Sequence, residues 1–239
     1  MLRALLFIIV VITATGVGAL MVIVVGLFQK YSRFSYNVIV RNWAKLVVWT
    51  SGSTVTVEGE SNITSQTPYI VVSNHQSHMD IPVLLGYLPL RMTILAKKEL
   101  FRIPIFAQGM HAIGVLKIDR SNHTRALETL KEAEKVLKQH RISVLAFPEG
   151  TRSRTGLLQP FKKGAFVMAI NSGIDILPVT VSGTFPILPK GKFIVRPGTV
   201  TLTIHPPVSV KSYRFEDRDQ LIAVVHDMIA SGLSQHARV

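Results

Sequence analysis

Residues 4–29 carry no charged side chain, and no other feature of the sequence restricts the possible folds so strongly. The run ALLFIIVVITATGVGALMVIVVGLF is long enough, at about 1.5 Å per helical residue, to cross a hydrocarbon layer of about 30 Å. A cleaved signal peptide fits less well, because the run exceeds an apolar region of about 7–15 residues and no A-x-A site ends it. The first expectation is therefore a membrane helix. Arg3 alone precedes the run, whereas Lys30, Arg33, Arg41 and Lys45 follow it. The positive-inside tendency then puts the following segment on the cytoplasmic face, as of a bacterial inner membrane.

Residues 31–50 mix Val38, Ile39, Trp43, Leu46, Val47 and Trp49 with Arg41 and Lys45. That mixture suits a second helix lying at the bilayer interface, and equally a helix packed on the body of the protein. Beyond Gly52 the pattern changes to short β-branched runs at 54–57, 69–73, 92–96, 115–118, 143–147 and 176–181, with helical stretches among them. This alternation predicts an α/β fold, a mixed sheet flanked by helices. The expected division is thus 1–50 for membrane-anchoring helices and 51–239 for an α/β domain. HTRALETLKEAEKVLKQH sets Ala126, Leu130, Ala133, Val136 and Leu137 at helical spacing and predicts a surface helix with one buried stripe. Runs at 193–195 and 200–205 around RPGT predict a hairpin, and 219–233 a closing helix.

A net charge of +13 implies an anionic partner: a lipid surface, a phosphorylated substrate, an acidic carrier protein or nucleic acid. Mean hydropathy of +0.34 is high for a chain wholly surrounded by water and favours the bilayer. The absence of cysteine removes disulfides, a thiolate nucleophile and Cys-ligated zinc.

Chemistry concentrates in three segments. In YIVVSNHQSHMDIPVL, His75 follows a strand and Asp80 precedes a helix. A turn between the two elements can bring the carboxylate to one imidazole nitrogen and leave the other free to accept a proton. His75, His78 and Asp80 also suggest a metal cluster, but no further ligand stands near them, and Asp80 alone would suit a helix cap. GVLKIDR presents Arg120, whose planar guanidinium suits phosphate. FPEGTR follows another strand and offers Gly150, Thr151 and Arg152 for close approach to an anion. Its Glu149 is open to two readings, an acceptor for an arginine fork or an ordinary loop carboxylate. Lys97, at the end of a third strand, is a weaker candidate for the same pocket, and FRIPIF suits either core or membrane.

NHQSHMD, GVLKIDR, FPEGTR and ILPVTVSG resemble, in order, the four blocks of the glycerolipid acyltransferases; Lys117 departs from the apolar residue common there. The resemblance implies that His75 is a general base oriented by Asp80. It also implies that Arg120, Glu149, Gly150, Thr151 and Arg152 form a phosphate pocket and that Pro178 shapes the acyl side. The implied reaction moves a fatty acyl group from acyl-CoA or acyl carrier protein to the free sn-2 hydroxyl of lysophosphatidic acid in a phospholipid bilayer, giving phosphatidic acid. No cofactor, metal or nucleic acid is expected, since acyl transfer from a thioester needs only proton removal and oxyanion stabilisation. A serine nucleophile lacks its G-x-S-x-G elbow. Two alternatives stay open: another glycerol-phosphate or lysolipid acceptor, and a basic membrane-tethered binding protein without catalysis.

Overall fold

In the computed structural model, which describes residues 2–64, 67–119, 123–191 and 194–236, a seven-stranded sheet carries helices on both faces. The strands are β1 (Thr54–Glu58), β2 (Ile70–Ser73), β3 (Met92–Lys97), β4 (Leu116–Ile118), β5 (Ser143–Ala146), β6 (Ile176–Ser182) and β7 (Thr199–Ile204). The helices are α1 (Leu2–Gly26), α2 (Arg41–Ser51), α3 (Asp80–Tyr87), α4 (Phe106–Ala112), α5 (His123–His140), α6 (Gly164–Ser172), α7 (Thr184–Ile187) and α8 (Arg218–His236). Spatial order is β1-β7-β6-β2-β5-β3-β4, and every neighbouring pair is parallel except β6–β7. The sheet is mixed, as the alternation of runs implies.

Because side chains alternate along a strand, the short β-branched runs feed two separate cores. Val71, Leu145, Leu177 and Val179 point to the side covered by α2 and α3. Ile70, Val72, Val144 and Ile176 point to the side covered by α5, α6 and α8. Of the stripe expected of α5, Ala133, Val136 and Leu137 are buried and Leu130 partly so, while the side chain of Ala126 lies outside the described part.

The hairpin expected around RPGT does not form. Residue 193 lies outside the described part, and 194–198 are not a strand: Pro197 has no N–H to give a ladder, and Arg196 donates its own to the Ile187 carbonyl at 3.0 Å. β7 instead pairs with β6, the strand before it, and with the distant β1.

The uncharged run forms α1, of which 4–26 is long and apolar enough to cross a membrane. Phe7, Ala19 and Val22 are buried against the body, and the Trp43 indole N–H donates to Thr15 Oγ1 at 3.0 Å. Leu5, Ile9, Ile12, Leu20, Val24 and Phe28 remain exposed, an apolar surface that water disfavours. A π-helical turn (Ser35–Val40) leads into α2. This segment packs on the body of the protein through Ile39, Val40, Ala44, Val47 and Val48, while Phe34, Val38 and Trp49 stay exposed.

Between α1, α2, α4 and β3 lies an apolar cavity of about 160 Å³, bordered by Ala19, Val22, Trp43, Ile81, Leu85 and Met110. The α1–α4 contact beside it is close because Gly109 has no side chain; a Cβ there would stand 2.9 Å from that of Ala19.

Candidate active site

β2 ends at Ser73, and the following turn carries both members of the expected pair. The His75 Nδ1–H donates to Asp80 Oδ2 at 2.8 Å, which fixes the tautomer and leaves Nε2 with its lone pair. Asp80 has no solvent exposure, so its carboxylate must be met by donors within the protein. Oδ2 also accepts the Gln76 and Ser77 N–H groups at 2.7 and 2.8 Å, and Oδ1 accepts the Thr184 hydroxyl at 2.5 Å. Asp80 is the first residue of α3 but does not cap it: Met79 is the N-cap and no side chain caps the helix, so the carboxylate closes the preceding turn and orients the ring. Phe147 stacks on the imidazole with centroids 4.0 Å apart.

β2 and β5 run parallel, so the NHQSHMD and FPEGTR segments leave the sheet side by side. Glu149 Oε1 accepts the His75 backbone N–H at 2.6 Å, and the Ser153 N–H returns to the His75 carbonyl at 2.8 Å. Glu149 Oε2 accepts the Gln159 backbone and side-chain N–H groups at 3.1 and 3.0 Å. Among the described residues no arginine reaches Glu149: its carboxylate clamps the main chain of the histidine. Burial pushes its pKa up, against the hydrogen bonds from His75 and Gln159.

Asn74 fixes the other flank. Its side chain donates to the Val181 carbonyl and accepts the Val181 N–H, both at 2.8 Å, which ties the turn to β6. Pro178 lies within that strand beside Val72, inside the sheet. Among the described residues no group of His, Asp and Glu stands ready to hold a metal ion.

Gly150 adopts φ +75°, and a Cβ there would stand 2.9 Å from Lys162 Nζ. Lys190 Nζ donates to Thr151 Oγ1 at 2.8 Å and to the Arg152 carbonyl at 3.3 Å. Arg152 is half-buried; burial lowers its pKa and the Asp80 carboxylate opposes that shift. Partial burial of the ring, then Arg152 and His75, hold His78 down to about 4, although the residue keeps an exposed edge. Lys162 and Lys190 therefore border the same turn as Arg152. Sequence spacing does not reveal them, because each arrives from a later loop; their charge was the only available signal. Lys97 is 60% exposed and pairs with Glu99 at 3.6 Å, while its neighbour Lys98 bonds Asp119 at 2.8 Å. Arg120 lies outside the described residues.

Comparison with known proteins finds relatives along most of the chain. The family model described as Acyltransferase matches residues 54–182. A 1-acyl-sn-glycerol-3-phosphate acyltransferase of Limnanthes douglasii is 34% identical over 228 residues, covering 95% of this chain and 80% of that protein. The chloroplastic 1-acyl-sn-glycerol-3-phosphate acyltransferase LPAT1 of Arabidopsis thaliana is 38% identical over 213 residues, 87% of this chain and 59% of that protein. The crystal structure of the 1-acyl-sn-glycerophosphate (LPA) acyltransferase PlsC from Thermotoga maritima superimposes with a TM-score of 0.83 at 30% identity, covering 99% of this chain and 95% of that one. With its sheet, its ordered motifs and these relatives in agreement, the chain belongs to the acyltransferase family.

Proposed function

We propose that this protein is a 1-acylglycerol-3-phosphate O-acyltransferase that moves a fatty acyl group from acyl-CoA or acyl carrier protein to the sn-2 hydroxyl of 1-acyl-sn-glycerol-3-phosphate. The observation that carries the mechanism is the buried Asp80 holding His75 by Nδ1. Nε2 takes the proton of the acceptor hydroxyl as its oxygen attacks the thioester carbonyl. The tetrahedral intermediate collapses, the C–S bond breaks, and the departing thiolate takes the proton back from the imidazolium. Asp80 stays ionised and stabilises the imidazolium between those steps.

The backbone donors nearest the histidine are already committed: those of His75, Gln76, Ser77, Gly150 and Ser153 all have partners. The N–H groups of Thr151 and Arg152, which make no hydrogen bond within the described residues, are our candidates for the oxyanion. Arg152, with Lys162 and Lys190 beside it, supplies positive charge for the acceptor phosphate. The family resemblance adds Arg120 to that set, and Lys97 is its weakest member.

The cavity beside α1 borders Ile81, the residue after Asp80, and suits part of an acyl chain. At about 160 Å³ it matches the ~150 Å³ engineered cavity that holds one benzene, so it takes roughly six carbons. The rest of a fatty chain must lie toward the bilayer, where α1 and the exposed face of the α2 segment would place the enzyme. Residues 1–50 then act as its anchor, with 51–239 on the cytoplasmic face.

Acyl transfer by membranes containing the wild-type or His75→Ala chain tests the reading, with lysophosphatidic acid, glycerol-3-phosphate and lysophosphatidylcholine each offered both donors. Product from lysophosphatidic acid, abolished by His75→Ala in a folded protein, is expected. Equal use of lysophosphatidylcholine would remove the phosphomonoester pocket, and full activity of His75→Ala would remove the mechanism.

A further inference from the structure

At the opposite end of the sheet from His75 there is a second, polar cavity of about 400 Å³, bordered by Arg33, Asn37, Arg41, Arg91, Arg141 and Ser143. Arg91 stands just before β3, and Arg141 and Ser143 stand at the start of β5, whereas His75 follows the far end of the parallel β2. Four residues of strand, about 13 Å, separate the two ends. The cavity is distinct from the site described above.

Four arginines line the cavity, and no carboxylate does so among the described residues. Carbonyls and a ring hold two of them, Arg41 and Arg91, in place. Arg41 donates to the Leu88 and Leu90 carbonyls at 3.0 and 3.4 Å and lies over the Tyr36 ring. Arg91 donates to the carbonyls of Tyr31 and His140 at 3.5 and 3.2 Å. Arg41 Nε is buried without a hydrogen-bond partner among the described residues, a cost the fold bears to keep this guanidinium at the cavity wall. Burial, and then the neighbouring Arg33 cation, lower the pKa of Arg91, and Tyr36 opposes that shift. Tyr31 and Arg141, at φ +60° and +51°, hold left-handed backbone that side chains disfavour by roughly 1–2 kcal/mol. Arg141 lines the cavity, and Tyr31 lies beside it as an acceptor for Arg91, so the chain accepts strain here to fix an arrangement.

We infer that this arginine-lined cavity binds phosphate oxygens, supplied by the headgroup of an anionic phospholipid in the bilayer that α1 enters. The source follows from position. Arg33, Asn37 and Arg41 come from the segment directly after the apolar α1, and Phe34 and Val38 beside them are exposed. A segment with apolar side chains on one side and guanidinium forks on the other matches the depth at which phosphates lie. A diester headgroup suffices, so the cavity is no second acceptor site.

The test uses the full-length protein in neutral detergent and follows its thermal midpoint as dioleoylphosphatidylglycerol replaces dioleoylphosphatidylcholine in mixed micelles. Arg33→Gln/Arg91→Gln is compared with Lys131→Gln/Lys135→Gln, which removes the same charge from the exposed face of α5. Phosphatidylglycerol should raise the midpoint of the wild type and of the α5 variant. The cavity variant should need about tenfold more lipid, or more, for the same rise, as expected for loss of a charged hydrogen bond. Should the double variant fail to fold, Arg33→Gln alone carries the test, since Arg33 is exposed. Equal responses in the cavity and α5 variants would overturn the site, as would no preference for phosphatidylglycerol in the wild type. A parallel titration with inorganic phosphate separates the sources. If phosphate alone reproduces the rise and the cavity variant abolishes it, the phosphate chemistry stands and the lipid assignment falls.

Discussion

Asp80→Asn isolates the charge of the dyad from its geometry. Four donors meet the carboxylate: the His75 Nδ1–H and the Gln76 and Ser77 N–H groups on Oδ2, and the Thr184 hydroxyl on Oδ1. An asparagine satisfies all of them in one orientation only. Its oxygen must take the Oδ2 position, and its amide must point at Thr184, whose hydroxyl can turn to accept. The reverse orientation sets an amide against three N–H groups. The backbone therefore selects the orientation that keeps Nδ1 protonated, and the variant should fold. What it loses is the negative charge opposite the imidazolium. At about 4 Å and an effective dielectric near 20, that attraction is about 4 kcal/mol, or roughly a thousandfold in rate. In a serine-protease triad the same substitution costs about 10⁴-fold through the wrong tautomer, so the expected loss here is somewhat smaller. The assay is kcat in mixed micelles at saturating acceptor, with the thermal midpoint as a control for folding. His75→Ala/Asp80→Asn should be no slower than His75→Ala, because the carboxylate acts only through the ring. A single variant within tenfold of wild type, or additive losses in the double variant, would refute the charge argument.

Glu149→Gln should lower stability by about 1–3 kcal/mol, because its amide must face the His75 N–H or the Gln159 donors, and kcat should fall with it; denaturant unfolding and activity measure both. Arg152→Gln should raise KM for lysophosphatidic acid about tenfold or more while leaving a phosphate-free acceptor unaffected, checked by steady-state kinetics with each. The native state holds His78 neutral down to about pH 4, whereas the unfolded chain protonates it near 6.5. Unfolding therefore takes up a proton in that window, stability falls as pH drops through it, and His78→Gln should flatten that part of the thermal-midpoint profile. Gly109→Val should force α4 from the Ala19 backbone of α1, lower stability by about 1–3 kcal/mol and alter acyl-chain preference, measured with donors of graded length.

Local pattern carried most of the architecture. Each of the six early strand runs appears within about a residue of its expected limits, since a four-residue run buried on both sides, such as IVVS, has little alternative. The RPGT segment was misread because proximity in sequence favoured a hairpin, whereas β7 gains its partners from β1 and β6, one of them far away along the chain. The two readings of residues 31–50 are hard to separate by sequence because apolar residues lie around much of the helix circumference, so a core face leaves other apolar side chains exposed. Trp43 and Trp49 show the division: one reaches Thr15 in α1, and the other is 74% exposed.

The site was legible as motifs but not as a mechanism for holding them together, and the reason is topological. His75 is fixed by contacts that span three chain distances: Asp80 within its own turn, Glu149 from the end of β5, and Asn74 to Val181 in β6. Only the first has a spacing that local rules can interpret. Glu149 shows why composition misleads about the others. A carboxylate in a loop rich in arginines invites an ion pair, yet the parallel register of β2 and β5 delivers it to a backbone N–H. Thr184 is the same case from the opposite side: nothing in its surroundings in sequence distinguishes it, but its hydroxyl completes the shell of Asp80. A fully buried carboxylate is costly unless donors within the protein meet it, so the groups that surround Asp80 are as necessary to a His75 base as the pair itself.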